Sequence, residues 1–138
     1  GALAVFLRLF KPFDALETMM PTLSLEAAGK IAALLQDALT GAPAVDGWKL
    51  QGVSARFLMG RHVPVAMFER EGSTLGFIVS PSIAGERAYR RSARFDIVYF
   101  SEDVADDQQQ GVYDRHRAMI ESVAAWIIAW DRGGELPA

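Results

Sequence analysis

Between Trp48 and Pro81 apolar residues recur at every second position, and that alternation restricts the segment to a sheet. Trp48 and Leu50 share one parity, while Val53, Ala55, Phe57 and Met59 share the other. The phase slips at Gly52, where a β-bulge is the economical way to keep one face apolar. Gly60-Arg61-His62 reads as a turn, after which Val63, Val65 and Met67 resume the pattern. Pro64 has no amide proton, which places it at a strand start or an unpaired edge. Glu71-Gly72-Ser73 turns the chain again, into TLGFIVS. Strands over 48–59, 63–70 and 74–80, joined by short turns, predict an antiparallel meander.

The stretch GERAYRRSARFDIVYFSEDVADD, residues 85–107, is the most charged in the chain. Inside it a fourth strand is expected over 91–101. Arg91, Ala93, Phe95, Ile97 and Tyr99 fall on one face, and Arg90, Arg94, Asp96, Val98 and Phe100 on the other. Its second half is apolar on both faces, as in a strand covered on both sides at that end. Its first half protrudes into water, with Asp96 as a counter-charge for Arg94 and Glu86 for Arg87. Most of the charge is thus the solvated end of a buried strand.

Helices flank this sheet. Residues 2–10 fit a helix through Leu3, Phe6, Leu7 and Phe10, or a strand through Leu3, Val5, Leu7 and Leu9. Pro12 suits the first turn of a second short helix ending before Pro21. Ser24 is the expected N-cap of a further helix, with Glu26 near its positive end. Ala28, Ile31, Ala32, Leu35 and Leu39 form its buried stripe, and Gly41 with Pro43 closes it. A last helix over 112–131 presents Val112, His116, Met119, Ile120, Val123, Trp126, Ile127 and Trp130 on one side. That side should cover the sheet. Glu102, Asp103, Asp106 and Asp107 precede it, near the positive end of its dipole.

The chain of 138 residues is long enough for one domain with its own core, and the fold class expected is α+β. It would comprise an antiparallel sheet of about four strands, N-terminal helices, and a C-terminal helix on one face. A net charge of −3 argues against generic nucleic-acid binding, which favours a basic excess. The absence of cysteine removes disulfides, thiolate metal sites and cysteine nucleophiles. ALAVFLRLF is interrupted by Arg8 and too short to span a bilayer, and it lacks the basic front of a signal peptide. Gly1 in place of an initiator Met leaves room for a removed leader or anchor, and the cytoplasm is the expected compartment. No membrane span, metal or cofactor is expected.

Few residues invite chemistry. His62 falls in the expected turn and His116 at the border of an apolar stripe, and neither has a histidine partner at helical metal spacing. EDVADD lacks the glycine and terminal glutamate of a calcium loop. No phosphate loop or GxSxG elbow occurs. Recognition has better candidates. Arg87, Arg90, Arg91 and Arg94, with Tyr89 among them, could fork onto carboxylates or phosphates of a small anionic ligand or an acidic protein partner. Trp48, Trp126, Trp130, Tyr99 and Phe100 either fill the core or line an apolar cavity between sheet and helix.

Residues 47–81, GWKLQGVSARFLMGRHVPVAMFEREGSTLGFIVSP, resemble a segment of anti-sigma-factor-like bacterial regulators. There G-[YW]-x-L-x-G opens a β-meander that runs through a Gly-x-x-x-Ala turn and ends in a phenylalanine–valine–proline strand. The positions carrying the resemblance are Gly47, Trp48, Leu50, Gly52, Gly60, Ala66, Gly72, Leu75, Phe77, Val79 and Pro81. Such regulators hold their sigma factor with a separate helical domain, often bearing a histidine–cysteine zinc motif, and this chain has no cysteine. The resemblance therefore implies a sensory or accessory β-module rather than anti-sigma activity.

The expectation is a non-catalytic accessory or regulatory domain that binds a small ligand or a protein. Its site residues would be Arg87, Tyr89, Arg90, Arg91, Arg94, His116, Trp126 and Trp130, and the apolar N-terminus could pair two copies of the chain. The alternative is a small enzyme in which His116 or Asp96 moves a proton and Arg94 orients an anionic substrate.

Overall fold

A computed structural model describes residues 23–58, 60–81 and 89–133. The expected segments before residue 22, and Arg87 with Glu86, lie outside the described residues. Helix α1 (Leu25–Thr40) precedes β1 (Lys49–Leu58), β2 (Arg61–Arg70), β3 (Ser73–Ser80), β4 (Arg90–Arg91) and β5 (Asp96–Phe100). A 3₁₀ turn (Asp106–Gln108) then leads into α2 (Gln109–Gly133). The fold is α+β, with one antiparallel sheet of five strands in the order β1-β2-β3-β5-β4.

Local chemistry sets each boundary. The Ser24 hydroxyl accepts from the Ala27 amide at 3.1 Å, and the Gly41 amide donates to Leu39 at the other end of α1. Ala28, Ile31, Ala32, Leu35 and Leu39 are its buried residues, as the stripe predicts. The meander is built on tight turns. Glu71 (φ 51°) and Gly72 (φ 86°) both take the left-handed backbone that suits a two-residue hairpin between Arg70 and Ser73. The β1–β2 register shifts between Leu50 and Gly52, so the bulge expected at Gly52 leaves Gln51 unmatched. There the Gln36 side chain of α1 reaches over and accepts from the Val53 amide at 3.1 Å. Pro64 lies opposite Ala55 inside a central strand, but the ladder to β3 begins only at Val65, so no donor is missed on that side.

Both helices lie on one face of the sheet. α1 packs on β1 and β2, and α2 packs on β5 and against α1. Phe68, Leu75, Phe77, Val79 and Ile97 meet Leu35 and Leu39 from α1 and Met119, Ile120 and Ile127 from α2 in one core. The alternate residues Val63, Val65 and Ile78 form a second buried cluster, joined by Leu58, Met67, Val98 and Phe100. Gly76 sits opposite both Met67 and Phe100, and a Cβ there would overlap the Phe100 ring. Among the described residues no helix is long and apolar enough to cross a membrane.

Three expectations need correction. The segment 91–101 is not one strand but a hairpin, in which Arg90 and Arg91 of β4 face Ile97 and Asp96 of β5. Ser92 makes the corner, its amide donating to the Phe95 carbonyl at 2.9 Å and its hydroxyl accepting from the Phe95 amide at 3.2 Å. Second, His62 and Arg61 belong to β2, so the turn is shorter than Gly60-Arg61-His62, and Gly60 takes φ 76°. Third, α2 runs beyond 112–131 at both ends, and its helical dihedrals break at His116 (φ −127°, ψ 31°). Its buried side includes Ala124 and Asp131, while Trp126 remains 37% exposed.

Candidate functional site

The residues expected to recognise a ligand come to rest in three places. At the β4–β5 hairpin the charges are already engaged. The Arg94 guanidinium holds Asp131 at the C-terminal end of α2, with Nε to Oδ1 at 2.6 Å and Nη2 to the Asp131 carbonyl at 2.8 Å. The Arg94 amide adds a third bond to Oδ2 at 3.1 Å, and the Asp131 side chain is fully buried. Burial pushes the Asp131 carboxyl up, but hydrogen bonds from Ser92 and Arg94, with the Arg94 charge, outweigh it and hold the carboxyl below its ordinary value. Asp96 does not neutralise Arg94 as expected; it pairs with Arg91 at 3.4 Å.

Tyr89 and Arg90 stay together. The Arg90 guanidinium lies 4.4 Å from the Tyr89 ring centroid, and Tyr89 packs on Tyr99 and Tyr113 at 5.2 and 5.6 Å. Burial, against the opposing pull of the Arg90 charge, pushes the Tyr89 phenol up to about 12. Trp130 stacks on Phe95 at 5.9 Å, which ties the helix to the same hairpin. The acids that follow serve the sheet as well. Glu102 pairs with Arg56 at 3.0 Å, and Asp103 accepts from the Thr74 amide at 2.9 Å.

His116 is elsewhere. Its half-buried imidazole meets Trp48 edge-on at 5.2 Å, and burial first, then the charges of Arg70 and Arg115, keeps it below its ordinary pKa. His116, Asp96 and Arg94 thus have separate partners in Trp48, Arg91 and Asp131. Among the described residues, no group of three or more histidine or acidic side chains could hold a metal ion.

Trp126 marks the third place, an open groove of about 320 Å³ at the β1 side of the sheet. Leu39 and Thr40 at the end of α1 form one wall, and Ser122, Val123 and Trp126 of α2 the other. Trp48, Lys49, Leu50 and Phe68 come from the sheet side, and Ala42, Pro43 and Ala44 from the loop; Lys49 is exposed and is the one charged residue among the described lining residues. The loop is shaped by the sequence. Asp46 (φ 52°) and Gly47 (φ 80°) make a tight turn in which the Trp48 amide donates to the Val45 carbonyl, swinging Trp48 inward to 2% exposure. Arg70 covers the indole at 4.8 Å and donates to the Asp46 carbonyl. The Trp126 indole donates to the Ala38 carbonyl at 2.9 Å, joining α2 to the last turn of α1. The Trp48 indole N–H, by contrast, is buried without an acceptor.

Of the cavity residues read from the sequence, Trp48 and Trp126 line this groove, while Tyr99, Phe100 and Trp130 do not. Lys49, Ser122, and the small residues at 42–44 were not singled out. Their one signal was the Asp-Gly pair ahead of Trp48, which marks a tight turn. The fold and this groove define a class: an antiparallel α+β domain with a small apolar recess between its two helices. No protein-family model, curated protein or solved structure matches the chain.

Proposed function

We propose that the protein is a non-catalytic accessory or regulatory binding domain whose ligand enters the groove beside Trp126. The observation that carries this reading is the groove itself, an apolar recess of about 320 Å³ held open by two helices and a strand. Its volume falls at the lower end of the range for small-molecule sites, roughly 300–1,000 Å³. The meander's resemblance to anti-sigma-factor-like modules supports an accessory or sensory role. The separate partners of His116, Asp96 and Arg94 favour binding over proton transfer.

The test uses a neutral apolar probe. 1-Octanol titrated into the intact chain should give a saturable change in tryptophan fluorescence, because Trp48 and Trp126 both line the groove. Ser122→Phe, which puts a ring into the recess, should abolish the change while leaving the far-ultraviolet circular dichroism intact. Ala44→Phe repeats the test from the loop side. A non-saturable response, or one indifferent to both variants, would overturn the reading.

A further inference from the structure

We propose that His116 is an acid-released latch: its uncharged ring holds the break in α2 against Trp48, and on taking up a proton it lets go and loosens the groove that Trp48 lines. The effect on the groove rests on the binding reading above. α2 is helical on both sides of His116 but not at it (φ −127°, ψ 31°), so two helical pieces meet at that residue. Neither proline nor glycine stands there to cause the break. What His116 does instead is press its ring edge-on to the Trp48 indole at 5.2 Å, and Trp48 is only 2% exposed. The first piece of α2 is pinned at its start, where the Gln109 side chain accepts from the Ser101 amide and donates to the Ser101 carbonyl, both at 3.0 Å. Movement between the pieces is therefore felt at the His116 end.

The surroundings suit a neutral ring and not a charged one. The Arg70 guanidinium lies 4.8 Å from the centroid of the same indole and is tied to the Asp46 carbonyl at 3.1 Å. Arg115 is tied to the Gly111 carbonyl at 3.3 Å. These two, from β2 and from α2 itself, are the charges that act on His116, while Trp48 brings a ring and no charge. Among the described residues no carboxylate pairs with it. A proton on His116 would thus add a third cation beside two that are held in place, in a site that also strips it of water. The sign follows. A solvated histidine takes its proton at about 6.5, so the contact is intact above that value. Below it the released form binds the proton more tightly than the latched form, and the latch gives way. Asp131 acts in a separate window, below about 3.9.

The Trp48 indole proton is the probe, being buried and without an acceptor, so its exchange with solvent reports release. Trp48→Phe identifies its signal among the three tryptophans. In the intact chain its protection by NMR, corrected for the intrinsic exchange rate, should fall roughly five-fold or more between about pH 7.5 and about pH 5, as for two linked sites. The midpoint should coincide with the ring titration of His116. His116→Gln, uncharged throughout, should flatten the change, and His62→Gln should leave it. Protection that stays level while His116 takes its proton, or a fall that survives in His116→Gln, would overturn the latch. 1-Octanol reads the groove: its affinity should drop between the same two pH values in the wild type and hold steady in His116→Gln. A steady affinity in the wild type, alongside falling Trp48 protection, would overturn control of the groove. Octanol that binds at neither pH would remove the groove reading and leave the latch to the exchange result.

Discussion

The two edges of the sheet spend their side chains in opposite ways. At the β4 edge, arginines are consumed by the protein itself. Arg94 closes on the buried carboxylate of Asp131, Arg91 on Asp96, and Arg90 on the ring beside it. At the β1 edge, mostly apolar residues from two helices, a loop and the sheet fail to close completely, and a recess remains with one lysine at its lining. The charged end looks more like a binding site in the sequence, yet its charges fasten a hairpin to α2. The plainer end has the space. Charge density is therefore a poor guide to a site when the counter-charges lie far away in sequence, as Asp131 does from Arg94.

The sharpest way to break this contrast is Asp131→Ala. It strips two hydrogen bonds from Arg94, sparing the one to the residue 131 carbonyl, and leaves a two-thirds-covered arginine side chain without its buried ionic partner. Urea denaturation should show a loss of about 2–4 kcal/mol, below the fully buried limit because Arg94 keeps some water. The pH dependence carries its own sign. The Asp131 carboxyl is held low in the folded state, so its contribution is complete above an unfolded value of about 3.9 and is lost as the pH falls through the lower folded value. The stability gap between wild type and Asp131→Ala should accordingly close at acid pH; a gap constant down to the folded value would show that the ionised carboxylate is not what holds the hairpin.

A smaller effect belongs to the other edge. Trp126→Phe removes the indole bond to the Ala38 carbonyl, an exposed bond between the two helices, and should cost about 1 kcal/mol by the same denaturation measurement. It should also alter 1-octanol affinity, whereas Asp131→Ala should not once the protein is folded. Least of all is expected from Arg90→Gln combined with Arg91→Gln. Both arginines are exposed, and stability should stay within about 0.5 kcal/mol of wild type. Heparin should bind the wild type no better than this pair of substitutions; a measurable loss would return the hairpin to the list of recognition surfaces.

How far the sequence could be read follows from where the information lies. α1 was legible end to end, because Ser24, the five-residue stripe and Gly41 are all local signals. The meander was legible for the same reason, including the bulge at Gln51-Gly52. The β4–β5 hairpin was not. Its corner is made by Ser92 bonding to the Phe95 backbone, without the glycine, proline or asparagine that would have marked it. In α2 the apolar stripe held for Met119, Ile120, Val123 and Ile127, but Trp126 turned to the margin and Asp131 went inside. Asp131 is buried because Arg94 waits for it, a pairing no helical period reveals. The groove was the least legible feature. A recess is written as missing volume, here at Ala42, Ala44 and Ser122, and small residues look alike whether they pack tightly or leave space.

Gln36 has a consequence beyond its own helix. β1 ends the sheet, so its outer side would otherwise offer a run of backbone donors on which a foreign strand could grow. The amide of Val53, in the middle of that run, is instead spoken for by the Gln36 oxygen, next to the bulge that bends the strand. An incoming strand would meet a template interrupted at Val53, so this ten-residue edge offers polymer growth only a broken run of donors.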